Sequence, residues 1–188
     1  MKNKILKMEF FNRPTLKVAR GLLGKFLVHQ FPRRSALNLR NSARREISAM
    51  ITEVEAYIGL KDRASHASRG KTKRTEIMFG KSGRWYIYLV YGMHYCLNIV
   101  TEKENYPAAI LIRSVKIGDK EIKGPGRVSK YFQINKKFNG KFADEKTGLW
   151  IEDRGVKINP RDIKRGKRIG VDYAGTWKDR LWRVYLTK

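Results

Sequence analysis

Residues 84–100, RWYIYLVYGMHYCLNIV, limit the possible folds of this chain more than any other stretch. Aromatic and apolar residues fill the segments on both sides of Gly92, which is typical of two strands joined by a tight turn. Gly92 can adopt the positive φ that such a turn needs. A period of two gives the first strand one face with Tyr86, Tyr88 and Val90 and another with Trp85, Ile87 and Leu89. We therefore predict a β-hairpin with one face on the core.

The tip of this hairpin places a large ring, Tyr91, beside glycine. Spacing alone leaves two interpretations of this ring open. Aromatic residues on strands often pack against their neighbours. Alternatively, a side chain inserted between base steps can wedge open a DNA duplex.

The rest of the chain predicts short elements. Residues 15–23, TLKVARGLL, are typical of a helix with Thr15 as N-cap and Gly24 as its stop. KFLVHQF, ISAMITEVEAYIG and AAILIRSVKI favour strands, and GPGRVSKYFQI favours a turn that enters a short helix. No repeat or linker divides the sequence. We predict one domain, residues 1–188, of the α+β class, built on a mostly antiparallel sheet with short helices and the protruding hairpin.

Charge is the strongest compositional signal. The chain has 42 Lys+Arg and 17 Asp+Glu, a net charge of +25, and such a balance favours a nucleic-acid partner. Residues 33–46 contain five of the arginines, which fit either a solvated loop or an arm that contacts phosphates. A membrane-surface role would need a long basic amphipathic helix, and the sequence contains none.

Simple features exclude several other classes of protein. No apolar run approaches the roughly 18 residues of a membrane span, and the start, MKNKILKMEFF, does not fit a secretory signal. The single cysteine, Cys96, excludes an internal disulfide, which favours an intracellular, reducing compartment. His29, His66 and His94 lack metal-ligand spacing, and no phosphate-binding glycine loop is present. We expect no metal, no cofactor and no membrane association.

Two carboxylates stand out in this basic chain. Glu53 and Glu55 are two residues apart on a predicted strand, so they should point the same way. Glutamates in such positions are usually solvated surface residues. Near a bound polyanion, however, a carboxylate is unfavourable unless it takes part in chemistry.

Five segments together resemble the alkyladenine (3-methyladenine) DNA glycosylase family: EFFNRPTLKVARGLLGKFLV, ITEVEAYIG…DRASHA, MFGKSGRWYIYLVYGMHYCLNIV, AAILIRSV and GPGRVSKYFQI. The order and spacing of the E-A-Y-x-G and Y-x-Y-x-x-Y-G-M blocks carry the likeness, which runs from about Glu9 to the C-terminus. The resemblance implies a monofunctional N-glycosylase of base excision repair. Such enzymes flip damaged purines, such as 3-methyladenine, hypoxanthine or ethenoadenine, out of duplex DNA and hydrolyse the glycosidic bond.

The resemblance also implies roles for individual residues. Glu55 matches the catalytic carboxylate that activates the attacking water, and Arg113 matches the arginine that orients both. The residues that match the base pocket are Tyr57, His66, Tyr86, Tyr88 and Asn98. Those that match the DNA-inserting group are Tyr91, Met93 and Met78. Arg127 and Lys130 are expected to contact phosphates, because cations near a helix start suit an anion.

One rival class remains, a noncatalytic basic protein that binds lesions or shapes nucleic acid. It would explain the charge and the aromatic residues. It would not explain why Glu55, Arg113 and the pocket tyrosines occur together. We expect double-stranded DNA with damaged purines as the partner, and a monomer, since the sequence has no coiled-coil pattern or long apolar stripe.

Overall fold

The structure is a computed structural model that describes residues 3–31 and 45–187. Within these residues the strands are β1 (Lys4–Ile5), β2 (Phe26–Gln30), β3 (Glu46–Ile58), β4 (Trp85–Val90), β5 (His94–Val100), β6 (Ala108–Ile117), β7 (Lys120–Lys123), β8 (Leu149–Asp153), β9 (Ile163–Gly166) and β10 (Arg183–Leu186). The α-helices are α1 (Met8–Phe11), α2 (Thr15–Leu22) and α3 (Pro125–Tyr131). Short 3-10 helices span His66–Arg69, Glu76–Phe79, Lys136–Phe138, Pro160–Asp162 and Asp172–Asp179.

The strands form one antiparallel sheet in the order β1-β8-β2-β3-β6-β5-β4, with β7 beside β6 and the β9–β10 pair beside β3. This architecture confirms the predicted α+β class and antiparallel sheet. No helix in the described part of the chain is long and apolar enough to cross a membrane.

Strand β3 is the centre of the sheet. It pairs with β2 through residues 46–50, with β10 through residues 53–55, and with β6 along its other edge. The β6 register shifts between Ile51 and Val54, which marks a β-bulge. Bulges re-aim side chains next to functional sites. After this bulge the strand delivers Glu55 and Tyr57 to the side of the sheet opposite Val54.

The two faces of the sheet are covered by different parts of the chain. One face forms the main core with α2 and α3, and its large buried residues include Leu22, Val54, Trp85, Ile99, Ile112 and Phe132. Because side chains alternate along a strand, the strand residues next to these core residues point to the opposite face. That face is covered by the segment that follows β3 and by the segment that precedes β10.

The N-terminus of helix α2 differs from the prediction. Pro14 is the N-cap and Thr15 is already helical, so the predicted N-cap role of Thr15 was wrong by one residue. The Thr15 hydroxyl is engaged elsewhere, 2.8 Å from the Glu102 carboxylate and 3.0 Å from the Thr101 hydroxyl. Gly24, at φ +80°, follows the C-cap Leu23, as expected of a glycine that ends a helix.

The predicted hairpin is present as β4 and β5, which pair from Trp85↔Ile99 to Val90↔His94. Tyr91 and Gly92 both have positive φ, 51° and 68°, and the Met93 N–H donates to the Val90 carbonyl at 3.1 Å. A wedge role for the tip stays a prediction. The basic stretch 33–46 also stays untested as loop or arm, since residues 33–44 lie outside the described residues.

Candidate active site

A cavity of about 230 Å³ opens on the face of the sheet opposite the main core. Strands β3 to β6 form its floor, and residues 64–66 and 169–173 form part of its walls. The cavity brings together most of the residues that the sequence singled out: Glu55, Tyr57, His66, Met78, Tyr86, Tyr88, Tyr91, Asn98 and Arg113. Met93, Arg127 and Lys130 lie outside this lining.

Glu55 lies at the floor of the cavity and is fully buried. Its Oε2 accepts a hydrogen bond from the Tyr57 hydroxyl at 3.0 Å, and its Oε1 accepts one from the Ile169 backbone N–H at 2.9 Å. The Arg113 Nε lies 3.6 Å from Oε1. Two hydrogen-bond donors, the Tyr57 hydroxyl and the Ile169 N–H, and one cation, Arg113, therefore contact the carboxylate.

Burial raises the pKa of Glu55 above that of a free glutamate, because a charged carboxylate loses its hydration. The Arg113 guanidinium, the Ile169 N–H and the Tyr57 hydroxyl act against this and lower the pKa. A carboxylate balanced in this way can be ionised and still be a better proton acceptor than one in water. Such tuning is typical of a general base.

Arg113 joins the two carboxylates of β3. Its Nε lies 3.3 Å from the Glu53 Oε1 as well as 3.6 Å from Glu55. Glu53 is further occupied by the Ser114 hydroxyl at 2.7 Å and by Arg183 at 2.9 Å. Glu53 is thus not a solvated surface residue, as glutamates in such positions usually are, and it does not line the cavity. It anchors the arginine that faces Glu55.

His66, Tyr86 and Tyr88 form one aromatic wall. The His66 ring packs edge-on against Tyr88, with centroids 4.6 Å apart, and Tyr86 and Tyr88 are 5.4 Å apart. The His66 Nδ1 lies 2.9 Å from the Tyr86 hydroxyl, and Arg74 lies 3.3 Å from Nε2. An arginine can only donate, so Nε2 accepts and Nδ1 carries the proton of the neutral ring.

His66 is neutral at physiological pH. Burial lowers its pKa to about 4, and the nearby Arg74 and Arg69 act in the same direction. A neutral imidazole suits a wall against which an electron-poor or cationic ring is placed, since a charged one would repel it.

Tyr57 belongs to a second wall. Its ring packs against Ala64, Val171 and Ala174, a cluster separate from the one that Tyr86 and Tyr88 belong to. Because both clusters contribute lining residues, the cavity lies between two aromatic surfaces. This geometry can accept a flat ring between them.

Asn98 is buried on β5 and its amide is fixed. The Nδ2 donates to the Tyr86 carbonyl at 3.0 Å and to the Cys96 carbonyl at 3.3 Å. The side chain lines the cavity from a position that it cannot readily leave.

The three residues predicted to insert into DNA differ in their exposure. Tyr91 and Met93 are 88% and 72% exposed at the hairpin tip. Met78 is 1% exposed and packs with Ala67 and Tyr86 in the cavity wall. A side chain that buried has no surface to insert between bases, so Met78 is corrected from an inserting residue to a wall residue.

Arg127 and Lys130 lie exposed on α3, whose Val128 and Ser129 are buried. The first residue of this helix, Pro125, lines the cavity. Only the start of α3 thus reaches the cavity, and a phosphate contact by the two cations remains a prediction.

Sequence reasoning missed several residues of the site. Ile169 donates to Glu55 across 114 positions of the chain, and Arg168 faces the Tyr57 ring with its Cζ 4.9 Å from the centroid. Arg74, which bonds His66, and Cys96, which lines the cavity, were missed as well. No local pattern marks any of them. Among the described residues, no group of three or more His, Cys, Asp and Glu is placed to hold a metal ion.

Comparison with known proteins identifies the family. Residues 9–188 match the family model of methylpurine-DNA glycosylase (MPG). The chain is 42% identical to a protein of Methanocella arvoryzae over 197 residues, which cover 96% of this chain and 92% of the relative. It is 42% identical to one of Rickettsia felis (97% and 93% covered) and 41% to one of Legionella pneumophila (96% and 93%). Each carries the name "Putative 3-methyladenine DNA glycosylase". The chain therefore belongs to the methylpurine-DNA glycosylase family of DNA repair hydrolases.

Proposed function

We propose that this chain excises alkylated or deaminated purines, such as 3-methyladenine, hypoxanthine and ethenoadenine, from duplex DNA by flipping the damaged nucleotide into the cavity and hydrolysing its glycosidic bond. One observation carries the proposal. Glu55 is a fully buried carboxylate at the floor of an aromatic cavity, in a chain of net charge +25. A carboxylate in this place repels the phosphates of a bound DNA. Its presence is therefore best explained by a role in the reaction, either as a base for water or as a charge that stabilises a cationic sugar.

The surface and the hairpin suit the binding steps. The positive charge attracts the phosphate backbone without regard to sequence. A flipped base enters between the Tyr57 wall and the His66–Tyr88 wall, where an electron-poor purine stacks favourably on the rings. Tyr91, exposed at the tip beside the cavity mouth, fills the gap that the flipped base leaves in the duplex.

Glu55 acts as the general base. It takes a proton from a water held between its carboxylate and Arg113, and the water oxygen forms a bond to the anomeric carbon of the sugar. The bond between that carbon and the base nitrogen breaks, and its electron pair leaves with the base. The negative carboxylate also stabilises the oxocarbenium character of the sugar in the transition state.

The leaving group decides how much further help is needed. A 3-methyladenine is cationic in DNA and leaves as a neutral base, so it needs no acid. None of the described residues that line the cavity is a lysine. Attack by an amine through a Schiff base therefore has no nucleophile in place, and hydrolysis by water is the favoured route.

The test is base release in single-turnover reactions. One duplex carries hypoxanthine and a second is methylated to give 3-methyladenine, and each is incubated with wild type, Glu55→Gln and Glu53→Gln. General-base catalysis is worth about 10²- to 10⁴-fold, so we expect a loss of that order in Glu55→Gln with DNA affinity retained. Glu53→Gln is the comparison variant, because it removes a carboxylate that anchors Arg113 but does not itself line the cavity, and we expect a smaller loss from it than from Glu55→Gln.

The other outcomes are informative. Tight binding without base release by wild type on either duplex would leave a lesion-binding protein and overturn the enzymatic proposal. A larger loss in Glu53→Gln than in Glu55→Gln would move the base to Glu53. Trapping of the wild type on damaged DNA by borohydride would show a Schiff base and overturn hydrolysis by water.

A further inference from the structure

We propose that the buried ion pair between Asp62 and Arg168 is a positioning device for the reaction, which sets the Tyr57 wall and holds the Ile169 N–H on the Glu55 carboxylate. The inference rests on the proposed function and concerns two residues that touch neither the base nor the water. The pair lies behind the cavity wall, not in its lining.

The pair is closed to solvent and has bidentate geometry. Both side chains are 0% exposed. The Arg168 Nη1 donates to the Asp62 Oδ2 at 2.6 Å, and Nη2 donates to Oδ1 at 2.8 Å. Two parallel bonds fix both the distance and the plane of a guanidinium, so Arg168 has one allowed orientation.

This orientation ties together three chain segments that carry site residues. Arg168 also donates to the Ala56 carbonyl at 2.9 Å and to the Trp177 carbonyl at 3.1 Å. Asp62 accepts from the Ile58 and Ala64 N–H groups, both at 3.1 Å. The end of β3, the segment leading to His66 and the segment before β10 therefore meet at one ion pair.

Two elements of the proposed site depend directly on Arg168. Its guanidinium faces the Tyr57 ring with its Cζ 4.9 Å from the centroid, and it faces Trp182 at 5.0 Å. Its neighbour in sequence, Ile169, gives the N–H that bonds Glu55 at 2.9 Å. A shift of Arg168 therefore changes the ring that stacks on the base and a hydrogen bond to the catalytic carboxylate.

Stability alone does not account for the pair. A buried ion pair loses hydration that its attraction only partly returns, and apolar replacements are often as stable. The Nε of Arg168 is buried and has no hydrogen-bond partner among the described residues. A guanidinium held in spite of an unsatisfied nitrogen points to a geometric requirement.

The test uses Arg168→Lys, which keeps the charge and removes the planar fork. Base release is measured in single turnover from pH 5 to pH 9 on the 3-methyladenine duplex, together with affinity for a duplex that carries a tetrahydrofuran abasic analogue. Misplacement of reacting groups by about 1 Å can lower a rate by ~10², so we expect a 10- to 100-fold lower plateau rate. DNA affinity should stay within about twofold, since binding rests on phosphates.

A second readout separates positioning from mere support of the fold. The Ile169 hydrogen bond lowers the pKa of Glu55, so its loss should move the acid limb of the pH–rate profile to higher pH. The titratable groups that also act on Glu55 are Arg113, Glu53, Tyr57 and Cys96. Among these groups, Arg168 contacts only Tyr57, through the face of the tyrosine ring. The variant Tyr57→Phe measures separately how much the Tyr57 hydroxyl contributes to the pKa of Glu55.

Arg154→Lys is the matched control. Arg154 also bonds a carboxylate, Glu152 at 2.7 Å, and faces a ring, Phe26 at 4.4 Å, but it lies away from the cavity. Arg154→Lys should leave the plateau rate and the acid limb unchanged. If it changed both as Arg168→Lys does, the effect would be general and the positioning claim would be overturned.

Where Arg168→Lys does not fold, the double variant Asp62→Leu/Arg168→Met takes its place, because it leaves no unpaired buried charge. A folded double variant with a lower rate and a shifted acid limb supports the proposal. Wild-type values in either variant, or a double variant that cannot fold, overturn it. If wild type releases no base, the proposed function fails and this inference with it; if wild type is active and Arg168→Lys equals it, this inference fails alone.

Discussion

Two parts of the β4–β5 hairpin, the stretch in the cavity wall and the tip, differ in almost every physical respect. Tyr86 is 2% exposed, while Tyr91, five residues further along, is 88% exposed. The Tyr86 hydroxyl is bonded to His66 at 2.9 Å. Tyr91 lies in a turn with positive φ and a ring that faces solvent.

This difference indicates how the two regions are used. The cavity residues are held by other residues of the chain, so their geometry exists before any substrate binds. Preorganised groups of this kind need no rearrangement at the moment of reaction. The tip has few internal contacts to lose, so its side chains are free to make their contacts with a partner. Variants in the two regions should therefore affect different quantities.

The largest effect should come from the two methionines that sequence reasoning grouped together. Met78→Ala should lower the free energy of unfolding by about 2–5 kcal/mol, because it leaves a cavity in a packed wall. Met93→Ala, at a 72% exposed position, should change it by less than ~0.5 kcal/mol. Urea unfolding of both variants, followed by fluorescence, measures the difference. Equal losses in the two variants would show that the tip packs as tightly as the wall.

The methionines also illustrate what local sequence can predict. The alternation around Gly92 specifies the hairpin and its two faces, because strand periodicity is a property of consecutive residues. The same period placed Glu53 and Glu55 on one side of β3, where both approach Arg113. Met78, by contrast, is buried because it packs with Ala67 and Tyr86, which are not its neighbours in sequence.

Long-range contacts explain the remaining misses. Thr15 has the residue type of an N-cap, yet its hydroxyl is drawn to Thr101 and Glu102 across more than 80 positions. Ile169 acts on Glu55 through its backbone, so its side chain carries no signal at all. Arg168 is one arginine or lysine among 42. Only the folded arrangement distinguishes it from the cations that contact solvent.

A smaller effect is expected from the ring at the tip. Tyr91→Ala should lower the single-turnover rate of base release about tenfold, since contacts between an aromatic side chain and bases are worth roughly 1–3 kcal/mol. The free energy of unfolding should be unchanged, because the ring is exposed. Tyr106→Ala, at another exposed tyrosine outside the cavity lining, is the control for both measurements. A rate equal to that of wild type would contradict the wedge and favour a passive tip.

The smallest and most specific effect concerns the Tyr57 hydroxyl. It donates to Glu55 at 3.0 Å and lowers the pKa of that carboxylate, whereas burial raises it. The proposed mechanism needs the ionised form of Glu55, so we expect the rate to rise with pH through the pKa of this carboxyl. Tyr57→Phe removes the donor and keeps the ring, so the acid limb should move to higher pH while the rate on the plateau changes little.

The raised pKa of Glu55 also predicts how the free energy of unfolding depends on pH, which can be measured without any rate. Because the fold raises the pKa of Glu55, the folded chain holds the proton more tightly than the unfolded chain, and the free energy of unfolding falls as pH rises through that pKa. Tyr57→Phe should extend this fall to higher pH. Tyr86→Phe removes a hydroxyl from the same cavity that bonds His66 instead, so it should leave the acid limb and this fall in place. A limb that moves equally in both variants would mean that the hydroxyls act through general polarity of the cavity, and not through the bond between Tyr57 and Glu55.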